Sequence, residues 1–188
     1  PFDLRWTGIV QNILGNEYRI IEDALNERTI SHDDPYFPDR HGLKSFETAL
    51  DAHSPIDLVV IQLGVNELKQ MYNLTGGMIA YGIEKLVIAA KKSFYGYPEP
   101  KVLLVAPHPV HPDIAKMIFG FVFGNDAYSK SLELGKLYKD VAERNSCEFI
   151  DCAELSFSVN TLDGLHYSKE DHEKLGKTIA NKIKEIFK

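Results

Sequence analysis

Hydrophobic residues repeat along the chain at two different spacings. Where they repeat every three or four positions, they predict helices, at residues 4–14, 43–52, 75–94 and 127–145. Thr75 is the expected N-cap of the third helix. A last amphipathic helix is expected after Ser168, with Asp171 at the position of a capping-box acid.

Between these helices lie short apolar runs of the length of β-strands, at residues 18–21, 56–63, 102–106 and 148–151. The second and third runs are apolar on both faces, which is typical of a parallel sheet covered by helices. Residues 26–41 are polar, contain Pro35 and Pro38, and predict a long loop. Strand and helix alternate without repeats or linkers. The sequence therefore predicts an α/β fold, a three-layer doubly wound parallel sheet, as a single domain over residues 1–188.

The composition narrows the possible partners. The 188 residues suit one domain, and 44% hydrophobic with 26% charged residues is ordinary for a globular chain. A net charge of −6 provides no basic surface for nucleic acid, and no apolar run approaches the ~20 residues that span a bilayer.

A strand between Cys147 and Cys152 would hold them roughly 16 Å apart, too far for a disulfide. Free thiols and the absence of a signal-like segment predict a cytoplasmic location.

A short loop before the last helix carries the first candidate chemistry. Asp163 stands three residues before His166, so its carboxylate can accept the imidazole Nδ1–H and leave Nε2 as a base. The alternative is a capping aspartate beside a surface histidine. Residues 64–67 end a predicted strand, and ligands of parallel sheets bind beyond the carboxyl ends of strands. We therefore expect residues 64–67 and 163–166 at the same rim.

Three segments resemble sequence blocks of one family. Residues 64–67, Gly-Val-Asn-Glu, resemble the Gly-x-Asn-Asp block of the SGNH (GDSL-type) hydrolases, and residues 163–166 resemble their Asp-x-x-His block. Residues 40–43, Arg-His-Gly-Leu, resemble the block that supplies an oxyanion-hole glycine. The similarity is greatest to the arylesterase-like branch, and it covers nearly the whole chain in the family's order.

The resemblance implies a flavodoxin-like sheet and a serine esterase that cleaves small acyl esters through an acyl-enzyme without a cofactor. His166 would be the base and Asp163 its orienting acid. Asn66 would donate its side-chain amide, and Gly42 its backbone N–H, to the oxyanion. The alternatives are a turn asparagine and a helix-start glycine. Members of this family often assemble, so a homo-oligomer is a further expectation.

The chain departs from the family pattern at two places. Glu67 stands where the family has Asp, which bears on loop geometry more than on chemistry. The Gly-Asp-Ser block is absent, and neither Ser31 nor Ser168 can replace its nucleophile. The predicted strands match family strands 2 to 5 in the order 2-1-3-4-5. We therefore expect the chain to be incomplete at its N-terminus. An upstream peptide would fill a gap of about 10 Å between strands 18–21 and 56–63.

Two other functions are compatible with the sequence. A silent domain could bind a ligand or partner without turnover. A metal-dependent hydrolase could use Asp163 and His166 with His108 and His111. Prolines at 107, 109 and 112 prevent a helical ligand face, and no carboxylate stands at ligand spacing, so we expect no metal. The apolar residues 117–123 predict core or a subunit contact, with an acyl-pocket wall as the alternative.

Overall fold

The sheet of this protein is parallel, as predicted. A computed structural model describes residues 1–92, 95–158 and 162–188. Its three strands are β1 (Leu58–Ile61), β2 (Lys101–Ala106) and β3 (Glu148–Asp151), in the order β1-β2-β3. Val60 lies opposite Leu103, and Val105 lies opposite Ile150. Sequential strands are therefore neighbours, as expected for family strands 3, 4 and 5.

The helices lie close to their predicted positions. They are α1 (Trp6–Leu14), α2 (Gly42–His53), α3 (Gly76–Ala90), α4 (Gly120–Phe123), α5 (Ala127–Arg144) and α6 (Lys169–Ile186). Thr75 caps α3 by accepting the N–H of Met78 at 3.2 Å. Ser168 and Asp171 form the predicted capping box of α6. The predicted end of α3 at Phe94 lies outside the described residues, and α3 ends before it, at Ala90.

The alternating side chains of β2 divide the core into two halves. Leu103 and Val105 pack into a cluster that contains residues of α1 and α6, including Val10 and Ile179. Leu104, on the other face, packs into a cluster built from α3 and α5. All three of these β2 side chains are fully buried. Helices thus cover both faces of the sheet, which gives the three-layer arrangement.

The strand predicted at residues 18–21 is wrong for this structure. Tyr18 has extended backbone (φ −122°, ψ 144°), and Tyr18 and Ile20 pack against the core half that contains α1 and α6. However, the backbone here pairs with a side chain instead of a strand. Gln11 Nε2 donates to Tyr18 O, and Gln11 Oε1 accepts the N–H of Ile20, both at 2.9 Å. The segment has strand-like alternation, but the described part of the chain places no strand beside it, and a ladder requires one.

One edge of the sheet is open within the described residues. β1 pairs with β2 on one side, and the described residues supply no strand on its other side. Although β1 is entirely apolar, Leu58, Val59 and Val60 are only partly buried. In the described part of the chain, no helix has the length and apolar character needed to cross a membrane.

Candidate functional site

The loop that carries Asp163 and His166 lies against the carboxyl ends of two strands. The hydroxyl of Tyr167, the residue after His166, accepts the side-chain amide of Gln62 at 3.2 Å, just beyond β1. The same hydroxyl accepts the backbone N–H of His108 at 3.1 Å, just beyond β2. These two bonds fix the loop at the rim where a parallel sheet binds its ligands.

Asp163 and His166 are in direct contact. The Nδ1 atom of His166 lies 3.0 Å from Oδ2 of Asp163, and Oδ1 of the same carboxylate accepts the N–H groups of Leu165 and His166 at 2.9 and 3.0 Å. Burial raises the pKa of the Asp163 carboxyl, but these hydrogen bonds outweigh burial and hold that pKa below its usual value. The carboxylate therefore stays ionised, fixes the Nδ1–H tautomer, and leaves Nε2 as the basic nitrogen.

Gly164 is what allows the turn between the acid and the base. Its φ of +73° lies in the left-handed region, and its carbonyl accepts the N–H of His111 at 2.9 Å. A Cβ here would lie 2.7 Å from Met117 Sδ and 3.0 Å from the Cβ of His111. A larger residue would be strained and would collide with the segment that follows β2.

Asn66 begins a short helical turn after β1. Its side-chain Nδ2 donates to the carbonyl of Arg28 at 3.0 Å. An amide nitrogen carries two hydrogens, so one N–H of Asn66 remains for another acceptor. Asn66 is thus a bonded residue at the strand end, and it connects this turn to the loop around Arg28.

Gly42 is placed differently from its predicted role. Its backbone N–H donates to the carbonyl of Thr29 at 3.0 Å, beside an isolated parallel bridge between Thr29 and His41. That N–H already has an acceptor, so Gly42 is not one of the oxyanion donors that we propose below. A Cβ at Gly42 would lie 2.6 Å from Thr29 O. The structure thus explains this glycine by close backbone packing at the start of α2.

The residue next to Asn66 is a buried acid that sequence reasoning assigned only to loop geometry. Glu67 is 1% exposed. Its Oε1 accepts the backbone N–H of Ile30, whereas its buried Oε2 has no hydrogen-bond partner among the residues that the structure describes. Burial raises the pKa of Glu67 to about 7, against the opposing effect of nearby backbone N–H groups and Lys69. This carboxyl can therefore change charge near neutral pH.

A second buried polar cluster, which no sequence pattern predicts, lies beside Glu67. Lys69 is 5% exposed, and its Nζ lies 2.7 Å from both Asp34 Oδ2 and Glu27 Oε2. The hydroxyl of Tyr72 donates to Asp34 Oδ2 at 3.1 Å. Burial lowers the pKa of Lys69, but the two carboxylates outweigh it and raise that pKa above its usual value. This cluster fixes the predicted loop of residues 26–41 onto the turn after Asn66.

The histidines of the metal alternative have other partners. His111 Nδ1 accepts the N–H of Asp113 at 3.0 Å, and His108 Nδ1 lies 2.8 Å from the carbonyl of Pro109. Within residues 1–92, 95–158 and 162–188, no three His, Cys, Asp or Glu residues stand close enough to hold a metal ion.

The apolar segment 117–123 contributes both to the core and to the surface near the site. Phe123 is buried and Phe119 packs against the core half that contains α3 and α5, and the Phe119 ring meets the His166 ring edge-on, with centroids 6.4 Å apart. Ile118 and Phe121 are exposed, Phe121 at 82%. The predicted core role therefore holds for part of this segment, and Phe119 gives His166 an apolar neighbour.

Several solved structures resemble this chain in fold and in sequence. No family model and no curated protein matches it. A carbohydrate acetylesterase from Sinorhizobium meliloti superposes with a TM-score of 0.92 at 39% identity, over 99% of this chain and 87% of that one. The native aryl esterase of M. smegmatis gives 0.91 at 33% identity, over 98% and 86%. A carbohydrate acetylesterase family member from Sinorhizobium meliloti gives 0.88 at 28% identity, over 98% and 87%.

Agreement over nearly the whole length of both chains, at 33% and 39% identity, exceeds what a shared fold alone produces. Two of the three sequence blocks that suggested a family, residues 64–67 and 163–166, lie in this structure at the carboxyl ends of parallel strands, where that fold builds its sites. The chain belongs to the SGNH (GDSL-type) hydrolases, in the branch that includes arylesterases and carbohydrate acetylesterases.

Proposed function

We propose that this protein is a serine esterase that cleaves small acyl esters through an acyl-enzyme. The observation that carries the proposal is the 3.0 Å contact between Asp163 and His166 in a loop bonded to the strand ends. The similar solved structures, an acetylesterase and an aryl esterase, support the same reaction class. In a hydrolytic triad, an imidazole oriented by a carboxylate is the base that activates a hydroxyl nucleophile.

In the proposed reaction, His166 Nε2 takes the proton of a serine hydroxyl as the serine oxygen bonds to the ester carbonyl carbon. Asp163 holds the ring and stabilises the imidazolium that forms. Collapse of the tetrahedral intermediate breaks the bond to the alcohol, which leaves with the proton from His166. Water then repeats the sequence on the acyl-enzyme, releases the acid and restores the serine.

We propose that the nucleophile lies on a segment upstream of Pro1 that pairs with the open edge of β1. Two observations support this. The apolar strand β1 is only partly buried at Leu58 to Val60. The extended segment at Tyr18 packs against the same core half as Leu58 and Val60, yet the structure describes no pairing between that segment and β1. A strand between them would cover these side chains and satisfy the outer backbone groups of β1.

The oxyanion would be bound by Asn66 together with a backbone N–H. The side-chain amide of Asn66 keeps one hydrogen after its bond to Arg28 O. In the adjoining loop, the N–H groups of Arg28, Thr29 and Ile30 donate to protein oxygens. The N–H of Glu27, where the backbone has φ +63°, makes no such bond within the described residues. We therefore propose Glu27 N–H in place of Gly42 N–H as the second donor.

The main alternative is a domain that binds ligand without turnover. This alternative is supported by the surroundings of His166. Among the described residues, His166 contacts Asp163 and the ring of Phe119, and no serine hydroxyl lies within hydrogen-bond distance of it. The esterase requires a nucleophile from the upstream segment, and the binding domain does not, so the presence of that nucleophile distinguishes the two functions. The metal-dependent alternative has less support, because His108 and His111 have the separate contacts described above.

The proposed substrates are small acyl esters, and the relatives described as an acetylesterase and an aryl esterase favour acetyl groups on aryl or carbohydrate alcohols. The apolar ring of Phe119 beside His166 suits an aryl leaving group. Cys147 and Cys152 are free thiols, which supports the cytoplasmic location that we propose. Assembly into a homo-oligomer stays a prediction.

The proposal is tested with the full-length gene product. We expect hydrolysis of p-nitrophenyl acetate and covalent labelling by an alkyl fluorophosphonate, detected as a mass increase on one serine of an upstream Gly-Asp-Ser segment. His166→Ala should abolish both. Binding of the ester without hydrolysis or labelling would favour the silent domain, and loss of activity with EDTA in the absence of labelling would favour the metal enzyme.

A further inference from the structure

We infer that Glu67 is a positioning residue for the proposed oxyanion hole, because its buried carboxyl fixes the segment Arg28 to His32 against Asn66. This inference rests on the proposed esterase function, since it concerns the same donors. Glu67 touches neither the substrate nor the nucleophile in this proposal. It acts through the backbone of its neighbours.

The geometry joins two consecutive residues of one turn to one segment of the opposite loop. Asn66 Nδ2 donates to the carbonyl of Arg28 at 3.0 Å, and two residues later the N–H of Ile30 donates to Glu67 Oε1. Both bonds therefore hold the same short stretch of backbone against the turn after β1. Removing the bond from Ile30 would leave Arg28 free to shift relative to the amide of Asn66.

The far side of the segment is already held by a separate set of bonds. Thr29 N–H donates to Arg40 O, and the carbonyls of Thr29 and Ile30 accept the N–H groups of Gly42 and Leu43. Thr29 and Ile30 are both fully buried. The segment is thus anchored to α2 on one side, and Asn66 and Glu67 supply the anchor on the other. Loss of Glu67 should change local position more than the fold.

The groups that face Glu67 determine how its charge behaves. Within the segment itself, the N–H groups of Ile30 and Ser31 favour the ionised form, and His32 Nδ1 lies 4.0 Å from Oε1. From the turn, Lys69 also favours ionisation. The hydroxyls of Tyr72, beside this turn, and of Tyr138, on α5, face the carboxyl as neutral groups. Burial raises the pKa of each, and the charge of Glu67 adds to that rise.

These groups fail to offset burial fully, so the pKa of Glu67 is raised to about 7. The ionised carboxylate makes a charge-assisted bond to Ile30, which is stronger than the bond of a neutral carboxyl. The segment should therefore be held most firmly above pH 7. Below that pH the carboxyl is protonated and the anchor weakens.

The test compares Glu67→Gln with wild-type protein, both as the full-length gene product. A glutamine keeps the shape and one acceptor but cannot ionise. The first readout is the amide resonance of Ile30 between pH 5 and 9, in protein labelled with ¹⁵N-isoleucine and assigned with Ile30→Val. The second is the kcat and KM for p-nitrophenyl acetate. Glu84→Gln is the matched control, because that carboxylate binds Arg144 and Asn145 between α3 and α5.

We expect the Ile30 resonance to titrate near pH 7 in wild type and in Glu84→Gln, and to lose that titration in Glu67→Gln. We expect kcat to fall about tenfold in Glu67→Gln with little change in KM, because one charge-assisted bond is replaced by a neutral one. If Glu67→Gln does not fold, Glu67→Asp replaces it. That variant keeps the charge, so its Ile30 resonance should still titrate while its shorter side chain lowers kcat.

Two results would overturn the inference, and a third would overturn the esterase proposal on which it rests. The Ile30 resonance could titrate identically without Glu67, which would assign the titration to another group. It could lose its titration while kcat stays at the wild-type value, which would make Glu67 structural only. Wild-type protein could fail to hydrolyse or to be labelled, in which case the esterase proposal fails. The Ile30 resonance, which needs no turnover, would then still show whether the carboxyl anchors the segment.

Discussion

Asp163 and His166 form a bonded pair in which each carboxylate oxygen has a different task. Oδ2 lies 3.0 Å from His166 Nδ1, while Oδ1 accepts the backbone N–H of the same histidine at 3.0 Å. One acid therefore orients both the ring and the main chain of its partner. The side chain of Asp163 is 13% exposed and that of His166 is 72% exposed, so the acid is sheltered and the base faces outward.

This pair gives the first prediction. Asp163→Asn should keep the loop but present an amide to Nδ1 and disfavour the required tautomer, so kcat should fall by about 10⁴. His166→Ala should lower kcat at least as far. Both are measured as p-nitrophenyl acetate hydrolysis by the full-length protein. Asp57→Asn is the control, because Asp57 is exposed and precedes β1 at the opposite end of the sheet. If Asp163→Asn and His166→Ala both kept the wild-type kcat, these two residues would have no role in the mechanism.

The second prediction concerns Asn66. Asn66→Ala should lower kcat by about 10² to 10³ with little change in KM, as expected for loss of an oxyanion donor. It also removes the bond to Arg28 O, so the free energy of unfolding should fall by about 1 kcal/mol.

A matched variant separates these two effects. The side-chain amide of Asn145 binds Val141 O at 2.8 Å and Glu84 Oε1 at 2.9 Å, at the end of α5. Asn145→Ala should therefore lose comparable stability in a urea titration and keep its kcat. Equal losses of kcat in the two variants would show that Asn66 acts through stability alone.

Much of the framework was predictable because it depends on residues close in sequence. The capping box of Ser168 and Asp171 and the cap at Thr75 are local signals, and both are present. The buried strand β2 was predictable because its run of apolar residues has no polar face, which is typical of a parallel strand covered on both sides. The contact of Asp163 with His166 also spans only three residues.

The features that the sequence could not provide depend on distant partners. The strand expected at Tyr18 has suitable residues, but its hydrogen bonds go to the side chain of Gln11. The burial of Glu67 depends on Ile30, 37 residues away. Lys69 is buried because Asp34 and Glu27 converge on it from the loop. No periodicity or spacing reports such pairings, since they arise only when the loop folds over the turn.

The third prediction tests the packing role of Gly42. Gly42→Ala would place a Cβ 2.6 Å from Thr29 O and 3.2 Å from Ile30 O, both backbone atoms that are anchored on α2. We expect the free energy of unfolding to fall by about 1 to 3 kcal/mol. Gly77→Ala is the control, because the nearest atom to its Cβ, Thr75 Oγ1, is 3.9 Å away. In a helix that variant should be neutral or gain up to about 1 kcal/mol. Equal stabilities of both variants in urea would contradict the close approach.

The last prediction concerns the dependence of stability on pH. Burial raises the pKa of Glu67 from 4.5 to about 7 in the folded protein. Between these values the folded state binds more protons than the unfolded state, so the free energy of unfolding must fall as pH rises. Ionisation strengthens the local bond to Ile30, but that gain offsets only part of the cost of burying the charge. The contribution is fully present below about pH 4.5 and is lost as pH passes 7. The shift corresponds to a change on the order of 3 kcal/mol.

Glu67→Gln removes this titration, so the difference in unfolding free energy between wild type and Glu67→Gln should change across that range and level off above pH 7. Urea titrations of both proteins at several pH values measure it. Every other carboxyl is common to the two proteins and cancels in the difference. A difference that stays constant from pH 4.5 to 8 would mean that Glu67 keeps an ordinary pKa. Its buried oxygen Oε2 would then need a partner beyond those described, because an ionised carboxylate is not buried without compensation.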